Sequence, residues 1–456
     1  MRIVGLLIVL LSLPVFYSLL KSNASFRRIA WLFIGASPFI IGYFHLEVSI
    51  VSWAYWPGYV KGMIVSLLDT LAFAVLLTNR RYPSSRAIFF AYCAYLIATI
   101  IASAFATPWA ASLFFSWQLM RAILVFSAVA RVATQPEGAK HIISGMAAGV
   151  AFEAVFSVMQ RIEGVTQASG TFGHQNLLGL ATHFGLLMSL AAMLAGDRSW
   201  LPRIGVVGGC IAVILTGSRA TTGLAGAGVV LLVVLSLIRH RTAFKMRVAG
   251  IGIALLLAGA PIAYLTLQHR FASEPSFGGY DERAAFERAA RSMWSDHPMG
   301  VGANLYVVTA NTSGYSQRAG VIWTASSRSA NVHNTYLLVG AETGYLGFIS
   351  FIVLFLLAII TAMRLAWSRP RGSTGELCLG AGVTLIIVAL HCLYEWVFVT
   401  WIIQYLFAII LGLVAGSDTQ RRLLIQRIRR KVSASVSSEA NGEHRIDSPL
   451  NGIQVR

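Results

Sequence analysis

Apolar stretches of about 17 to 25 residues, the length of a helix that crosses a bilayer, recur along this chain of 456 residues. Charged residues make up only 12% of the sequence, against roughly 25% in soluble domains, and lipid is the solvent that tolerates such a deficit. The pattern excludes a soluble enzyme and predicts an all-α, polytopic integral membrane protein with about 12–13 transmembrane helices. The predicted spans are 3–20, 29–46, 60–78, 87–105, 111–131, 141–160, 177–195, 203–218, 220–238, 248–267, 345–363, 375–395 and 397–415.

The positions of the 36 lysines and arginines predict the orientation, because basic residues accumulate in cytoplasmic loops. Alternation of the spans places most of them, and the C-terminus, on one side, which we assign to the cytoplasm. The chain then divides into N-terminal helices (1–267), a large periplasmic loop (268–331), C-terminal helices (332–417) and a basic cytoplasmic tail (418–456). The tail continues into Ser-rich polar sequence that cannot bury a core, so we predict disorder there.

The net charge of +18 has two interpretations. A basic run can bind nucleic acid, but beside a membrane helix a contact with anionic lipid or a simple topological bias is favoured. We therefore expect no nucleic-acid partner. The four cysteines show neither CxxC nor Cys/His spacing and the chain has no P-loop motif, so we expect no metal site, no cofactor and no ATP-driven transport.

The loop from 268 to 331 is mildly basic on a face that normally excludes basic residues, and a loop of this length usually has a lid or binding role. Apolar residues near helical spacing predict an amphipathic helix over 279–295, which the Pro- and Gly-containing stretch 297–302 ends. We expect the loop to fold onto the membrane domain.

Three short polar segments stand where predicted helices meet the non-cytoplasmic face. They are 169–176 (SGTFGHQN), 216–223 (TGSRATTG) and 333–344, which begins with HNTYL and ends with ETG. Because all three stand at helix ends on the same face, we expect them to lie at one depth.

At these residues the sequence resembles the O-antigen ligase and polymerase superfamily. Its members share a G-T-F-x-x-x-N segment, an S-R-[GA] turn and an H-N-x-x-L-x-x-x-x-E-x-G segment after a large periplasmic loop. Here these are 170–176, 218–220 and 333–344, in the family's order. Many relatives have an arginine just before the first segment, where this chain has Gln167, and the nearest candidate is Arg161.

The resemblance implies a metal-independent glycosyltransferase of the bacterial inner membrane, with its site open to the periplasm. Such proteins take a glycan from undecaprenyl diphosphate; polymerases transfer it to another lipid-linked repeat, and ligases transfer it to lipid A core. A chain-length regulator is a further implied partner. Nothing in the chain identifies the acceptor, and we favour a polymerase of O-antigen or exopolysaccharide repeats over a ligase.

A sugar leaving a lipid diphosphate develops negative charge on that diphosphate, and without a metal guanidinium groups must compensate it. Arginine suits this role because its planar fork binds two phosphate oxygens and stays protonated. Arg219, at the centre of the second segment, is our catalytic candidate; the alternative is that it only snorkels to the interface. Arg161, Arg283 and Arg291 are candidate substrate-binding residues, with solvated surface charge as the alternative.

The attacking hydroxyl needs a proton acceptor, and histidine has a suitable unperturbed pKa of about 6.5. His333 is the candidate base; the alternative is a histidine that only hydrogen-bonds the loop. Asn334 is a candidate substrate contact or a helix cap, and Glu342 either orients an arginine or the acceptor or forms a structural pair. His174 and Asn176 are candidates for sugar or phosphate contacts, with capping of the next helix as the alternative.

Several polar groups lie within the predicted spans and raise an alternative of another class. A proton-coupled flippase of lipid-linked glycan would use such groups, but it leaves the large loop and the three segments unexplained. We expect Arg121 to pair with Asp69 or Glu153. The groups are Asp69, Arg121, Glu153, His183, His391 and Glu395.

Overall fold

The computed structural model describes residues 2–78, 86–254, 281–368 and 372–440. Its elements, in chain order, are α1 (Arg2–Ser22), α2 (Ala24–Ile40), β1 (Glu47–Ser52), β2 (Gly62–Ser66), α3 (Leu67–Thr78), α4 (Arg86–Ser103), α5 (Trp109–Val132), α6 (Pro136–Ile162), α7 (Gln175–Leu194), α8 (Trp200–Leu215), α9 (Arg219–Arg239), α10 (described over 243–254), α11 (Glu282–Asp296), α12 (Tyr306–Thr312), α13 (Tyr315–Arg318), α14 (Ala325–Arg328), α15 (Thr335–Ser368), α16 (Ser373–His391), a 3-10 turn (Val397–Val399) and α17 (Trp401–Ala440).

The predicted all-α, polytopic architecture is confirmed. Among the described residues, 9 helices are long and apolar enough to cross a membrane. The predicted spans at 29–46, 60–78 and 203–218 correspond to shorter helices of 17, 12 and 16 residues. Most of the predicted span 248–267 lies outside the described residues. The predicted helix over 279–295 is confirmed as α11, which buries its apolar face, including Phe286 and Met293.

The predicted helix at 60–78 is wrong in its first part, where a short β-hairpin stands instead. Strands β1 and β2 pair antiparallel, with Val48 opposite Val65, and α3 begins only at Leu67. A continuous apolar run does not distinguish a strand from a helix, and the β-branched Ile64 and Val65 favour the strand locally.

The last helix is longer than predicted. Helix α17 continues unbroken from Trp401 to Ala440, past the expected end at 415 and into the basic run. Buried Asp418 stabilises this part of the helix, because its carboxylate pairs with Arg364 at 3.3 Å and with Arg422 at 2.7 Å. Part of the tail predicted to be disordered, including its Ser-rich stretch, is therefore helical up to Ala440, and the rest, 441–456, lies outside the described residues.

Helix α7 forms the centre of the bundle. In its most apolar stretch, 94% of the residues are buried. Helices α6, α8, α9, α16 and α17 pack around it. Elsewhere in the bundle, Arg121 Nε contacts Asp69 Oδ2 at 2.9 Å with both side chains buried, which confirms the first of the two predicted pairings. A buried cation is thus compensated inside the apolar interior.

Helix α15 is interrupted near its start by Gly344, whose φ of 64° and ψ of −165° are not helical. A Cβ at this position would lie 2.2 Å from the carbonyl oxygen of Pro298, so only glycine fits. The carbonyls of Ala341 and Glu342 accept from the backbone N–H groups of Val301 and Gly302 at 3.1 and 2.8 Å. The loop backbone therefore supplies hydrogen bonds that the broken helix lacks.

Candidate functional site

The three polar segments come together at one end of the bundle, which we call the His333 end. There α6, α8 and α16 finish and α7, α9 and α15 begin. The residues immediately before the first and second segments are joined, because Ala168 N–H donates to the Leu215 carbonyl at 2.9 Å. The third meets the first through Asn176 and Glu395, described below. The expectation of one common depth agrees with these contacts.

The first segment is held by a buried carboxylate from α6. Glu153 accepts from the Thr171 N–H at 2.8 Å and from its hydroxyl at 2.6 Å. Gly170 has a φ of +57°, and a Cβ there would lie 2.1 Å from Glu153 Oε2, so a larger residue would displace the carboxylate. Gln160 adds bonds to Ser169 and Gly170. Glu153 therefore binds this turn. The other predicted pairing, of Glu153 with Arg121, is not the one that forms, because Arg121 pairs with Asp69.

The second segment is the turn between α8 and α9. Ser218 caps α9, with its side chain accepting from the Thr221 N–H, and Gly217 packs against Gln167. Thr221 lies against Gly179 in the first turns of α7. Arg219 therefore stands at the N-terminal end of α9 with an exposed side chain, beside the first segment.

The third segment begins the half-helix before Gly344. Asn334 Oδ1 accepts from the backbone N–H groups of Tyr336 and Leu337 at 3.0 and 3.2 Å, which is the geometry of a helix cap. The Thr335 hydroxyl donates to the Glu395 carbonyl at 2.6 Å and fixes the start of α15 to the segment that follows α16. His333 immediately precedes this anchored turn.

Glu395 is the hub of the site. Its Oε2 lies 3.2 Å from His333 Nδ1, while its Oε1 accepts from Asn176 Nδ2 at 2.7 Å and lies 3.7 Å from Arg283 Nη2. The Glu395 side chain is 5% exposed and that of His333 is 24% exposed. One buried carboxylate thus joins the first segment, the loop helix α11 and the third segment.

His174 lies within electrostatic range of this hub. Burial lowers the pKa of His174, Glu395 opposes that shift, and His333 adds to it. The neutral ring lets its Nδ1 accept from the Asn176 N–H at 3.2 Å, capping α7. His174 therefore caps the helix, as the alternative had it, and its contact with sugar or phosphate stays a prediction. Asn176 bonds the hub itself.

The other predicted arginines take different positions. Arg161 is exposed at the end of α6, where its guanidinium donates to the carbonyls of Val165 and Thr166 at 3.4 and 3.5 Å. Arg291 pairs with Glu287 one turn away on α11 at 3.2 Å, and both are solvent-accessible. Arg283, in contrast, reaches the hub, with its Nη2 3.7 Å from Glu395 Oε1.

The described contacts of Glu342 are with residues other than those around Glu395. It is buried, accepts from the Tyr59 hydroxyl, and accepts from the Tyr306 N–H at 3.0 Å. Burial and the neighbouring carboxylate raise the pKa of Tyr59 well above its ordinary value, so the phenol stays a donor. These contacts match the structural alternative for Glu342, and its assignment to substrate binding stays a prediction.

Glu395 is the group that sequence reasoning did not assign to the site. The sequence marks it only as one of several polar groups in apolar stretches. Its position four residues after His391, at the predicted end of a span on the periplasmic face, was the signal that could have placed it beside the third segment. Among the described residues, no group of three or more His, Cys, Asp or Glu side chains is arranged to hold a metal ion.

This end of the bundle therefore presents a half-buried imidazole on a carboxylate, two exposed arginines and several amide donors. Such a set can accept a proton and stabilise an anionic leaving group. Residues 204–352 match the family model described as O-antigen ligase. The matched region includes the second segment, α11 and the third segment through Gly344. None of the curated proteins matches the chain.

Proposed function

We propose that the chain is an inner-membrane glycosyltransferase. The match of residues 204–352 to the family model described as O-antigen ligase supports this proposal and the resemblance to the ligase and polymerase superfamily. It takes a glycan from undecaprenyl diphosphate at its periplasmic face. We favour a polymerase of O-antigen or exopolysaccharide repeats, and transfer to lipid A core is the alternative. The supporting observation is the meeting of His333, Arg283 and Asn176 on buried Glu395, beside the turn that holds Arg219.

The proposed reaction is a displacement at the anomeric carbon. The acceptor oxygen forms a new bond to that carbon, and the bond to the diphosphate oxygen breaks, with its electron pair leaving on the diphosphate. His333 takes the proton of the acceptor hydroxyl. Arg219 and Arg283 carry the positive charge that stabilises the leaving diphosphate, and no nucleotide or metal enters the step.

Purified protein supplied with lipid-linked repeats should form longer glycans in the presence of a chelator and without any nucleotide. The reason is that arginines provide the charge compensation in the proposed step. Product length followed on a gel is the measurement. Parallel reactions with lipid A core as acceptor separate polymerase from ligase.

The controls use the same preparation in proteoliposomes. A reaction that stops on chelation and resumes on addition of a divalent cation would refute metal-independent transfer. Movement of lipid-linked glycan across the bilayer, with no new glycosidic bond, would instead establish the flippase alternative.

The orientation is tested by single cysteines at positions 318 and 241, in a background without the four native cysteines. Because arginines mark the cytoplasmic side and the loop is the exception, an impermeant thiol reagent should label position 318 in intact cells and position 241 only after lysis. Mass shift of the purified protein is the readout. The reverse labelling pattern would put the His333 end in the cytoplasm and overturn the proposed donor access.

A further inference from the structure

Glu395 touches His333 on one side and two hydrogen-bond donors on the other. Its Oε2 faces His333 Nδ1 at 3.2 Å, and its Oε1 is engaged by Asn176 Nδ2 and approached by Arg283. The carboxylate has no proton to give when ionised, so Nδ1 of the facing imidazole must carry the hydrogen. The tautomer with Nδ1–H has its lone pair on Nε2.

We propose that Glu395 is the positioning residue of the site, which fixes His333 in the tautomer whose Nε2 can accept the acceptor's proton. This inference rests on the proposed function. The proton moves from the acceptor hydroxyl to Nε2, and the resulting imidazolium keeps its Nδ1–H on the carboxylate. The Glu395 carboxylate does not take this proton and stabilises the charge that forms on the ring.

The contacts of Oε1 make this role specific. Asn176 Nδ2 and the Arg283 guanidinium are both donors, so that side of residue 395 must present an acceptor. In Glu395→Gln the amide oxygen is therefore held by Asn176, and the amide NH2 faces His333. An NH2 group donates to Nδ1, which moves the ring hydrogen to Nε2 and removes the lone pair that acts as the base.

The charged and titratable groups around Glu395 come from four elements. They are His333 before α15, His174 at the start of α7, Arg283 on α11 and His391 at the end of α16. The tautomer argument does not depend on the charge of the surrounding groups, because it follows from the donors on Oε1. The tautomer argument therefore predicts that Glu395→Gln, which keeps the shape of the side chain, lowers turnover.

The first test is Glu395→Gln at matched membrane levels. We expect turnover to fall about 10²-fold to 10⁴-fold, the range for losing a general base, because the wrong tautomer removes the accepting lone pair. The KM for the lipid-linked donor should stay within about twofold. Glu376→Gln is the matched control, because it neutralises another buried carboxylate. Glu376 Oε2 lies 2.9 Å from Lys245 Nζ, and this pair is not at the His333 end. The control should lower the thermal stability but not the turnover per folded molecule.

The second test restores the hydrogen-bond pattern. In the double variant Glu395→Gln with Asn176→Asp, the new carboxylate at position 176 accepts from the amide NH2 at position 395, and the amide oxygen turns back to His333 Nδ1–H. We expect turnover at least about tenfold above that of Glu395→Gln alone. A purely structural role of Glu395 gives no reason for such recovery.

Wild-type turnover in Glu395→Gln, or a double variant no faster than Glu395→Gln, would overturn the tautomer assignment. A raised donor KM with unchanged turnover would also overturn it, by assigning Glu395 to donor binding. Failure of the proposed function is seen separately, because the wild-type protein would then form no glycosyl product. A loss of turnover in Glu395→Gln without any loss in His333→Ala would show that the carboxylate acts through another group.

Discussion

His333→Ala should lower glycan product about 10²-fold to 10⁴-fold while the protein still binds the lipid-linked donor. The range is the usual contribution of a general base. Donor binding should survive because, in the proposed mechanism, the imidazole acts on the acceptor hydroxyl and the arginines act on the diphosphate. The measurements are product on a gel and donor binding to the purified variant, both at matched membrane levels.

His297→Ala is the matched control for the loss of an imidazole. His297 follows α11 and lies by the Tyr315 ring, with centroids 6.3 Å apart, so its loss should leave turnover near the wild-type value. Loss of donor binding in His333→Ala would move the histidine from the acceptor to the diphosphate. Wild-type product from that variant would exclude it as the base.

Arg219→Lys should be nearly as damaging as Arg219→Ala, with turnover reduced about 10²-fold to 10³-fold in both. The magnitude is that of losing one preorganised donor to a developing anion. Lysine keeps the charge but not the planar fork that holds two phosphate oxygens, so geometry should decide the effect. Kinetics with a lipid-linked donor, together with donor binding, distinguish the two substitutions.

Arg288→Lys provides the comparison on an exposed arginine of α11, whose guanidinium donates to the Ala319 carbonyl at 3.0 Å. It should retain nearly full turnover. If Arg219→Lys forms product at the wild-type rate, Arg219 contributes only a positive charge near the membrane surface, and the snorkelling interpretation gains support.

Hydropathy predicted most of the helices because burial in lipid imposes long apolar runs. The same signal failed at 60–78, where an apolar run begins as strand β2 and then continues as the 12-residue helix α3. Pairing of β2 with β1 decides that structure, and pairing is a non-local property. Local spacing did predict α11, because its apolar face is encoded within a single helix.

The site was only partly predictable for a related reason. The order of the segments predicted that His333 and Asn176 belong to one site. Their common partner, however, is Glu395, which is 62 residues from His333 and 219 residues from Asn176 in sequence. No periodic pattern links such distant positions. Conversely, Glu342 stands in the same short segment as His333, yet its described contacts are with Tyr59 and Tyr306.

The break at Gly344 limits how the large loop can move. Its two neighbouring carbonyls, on Ala341 and Glu342, are satisfied by loop residues 301 and 302, and the Tyr345 N–H donates to the Pro298 carbonyl at 3.0 Å. Lifting 298–302 would leave the carbonyls of buried Ala341 and Glu342 unpaired, at a cost of about 1–3 kcal/mol for each. These bonds tie the stretch to the bundle, so we expect any opening of the proposed site to hinge elsewhere in the loop.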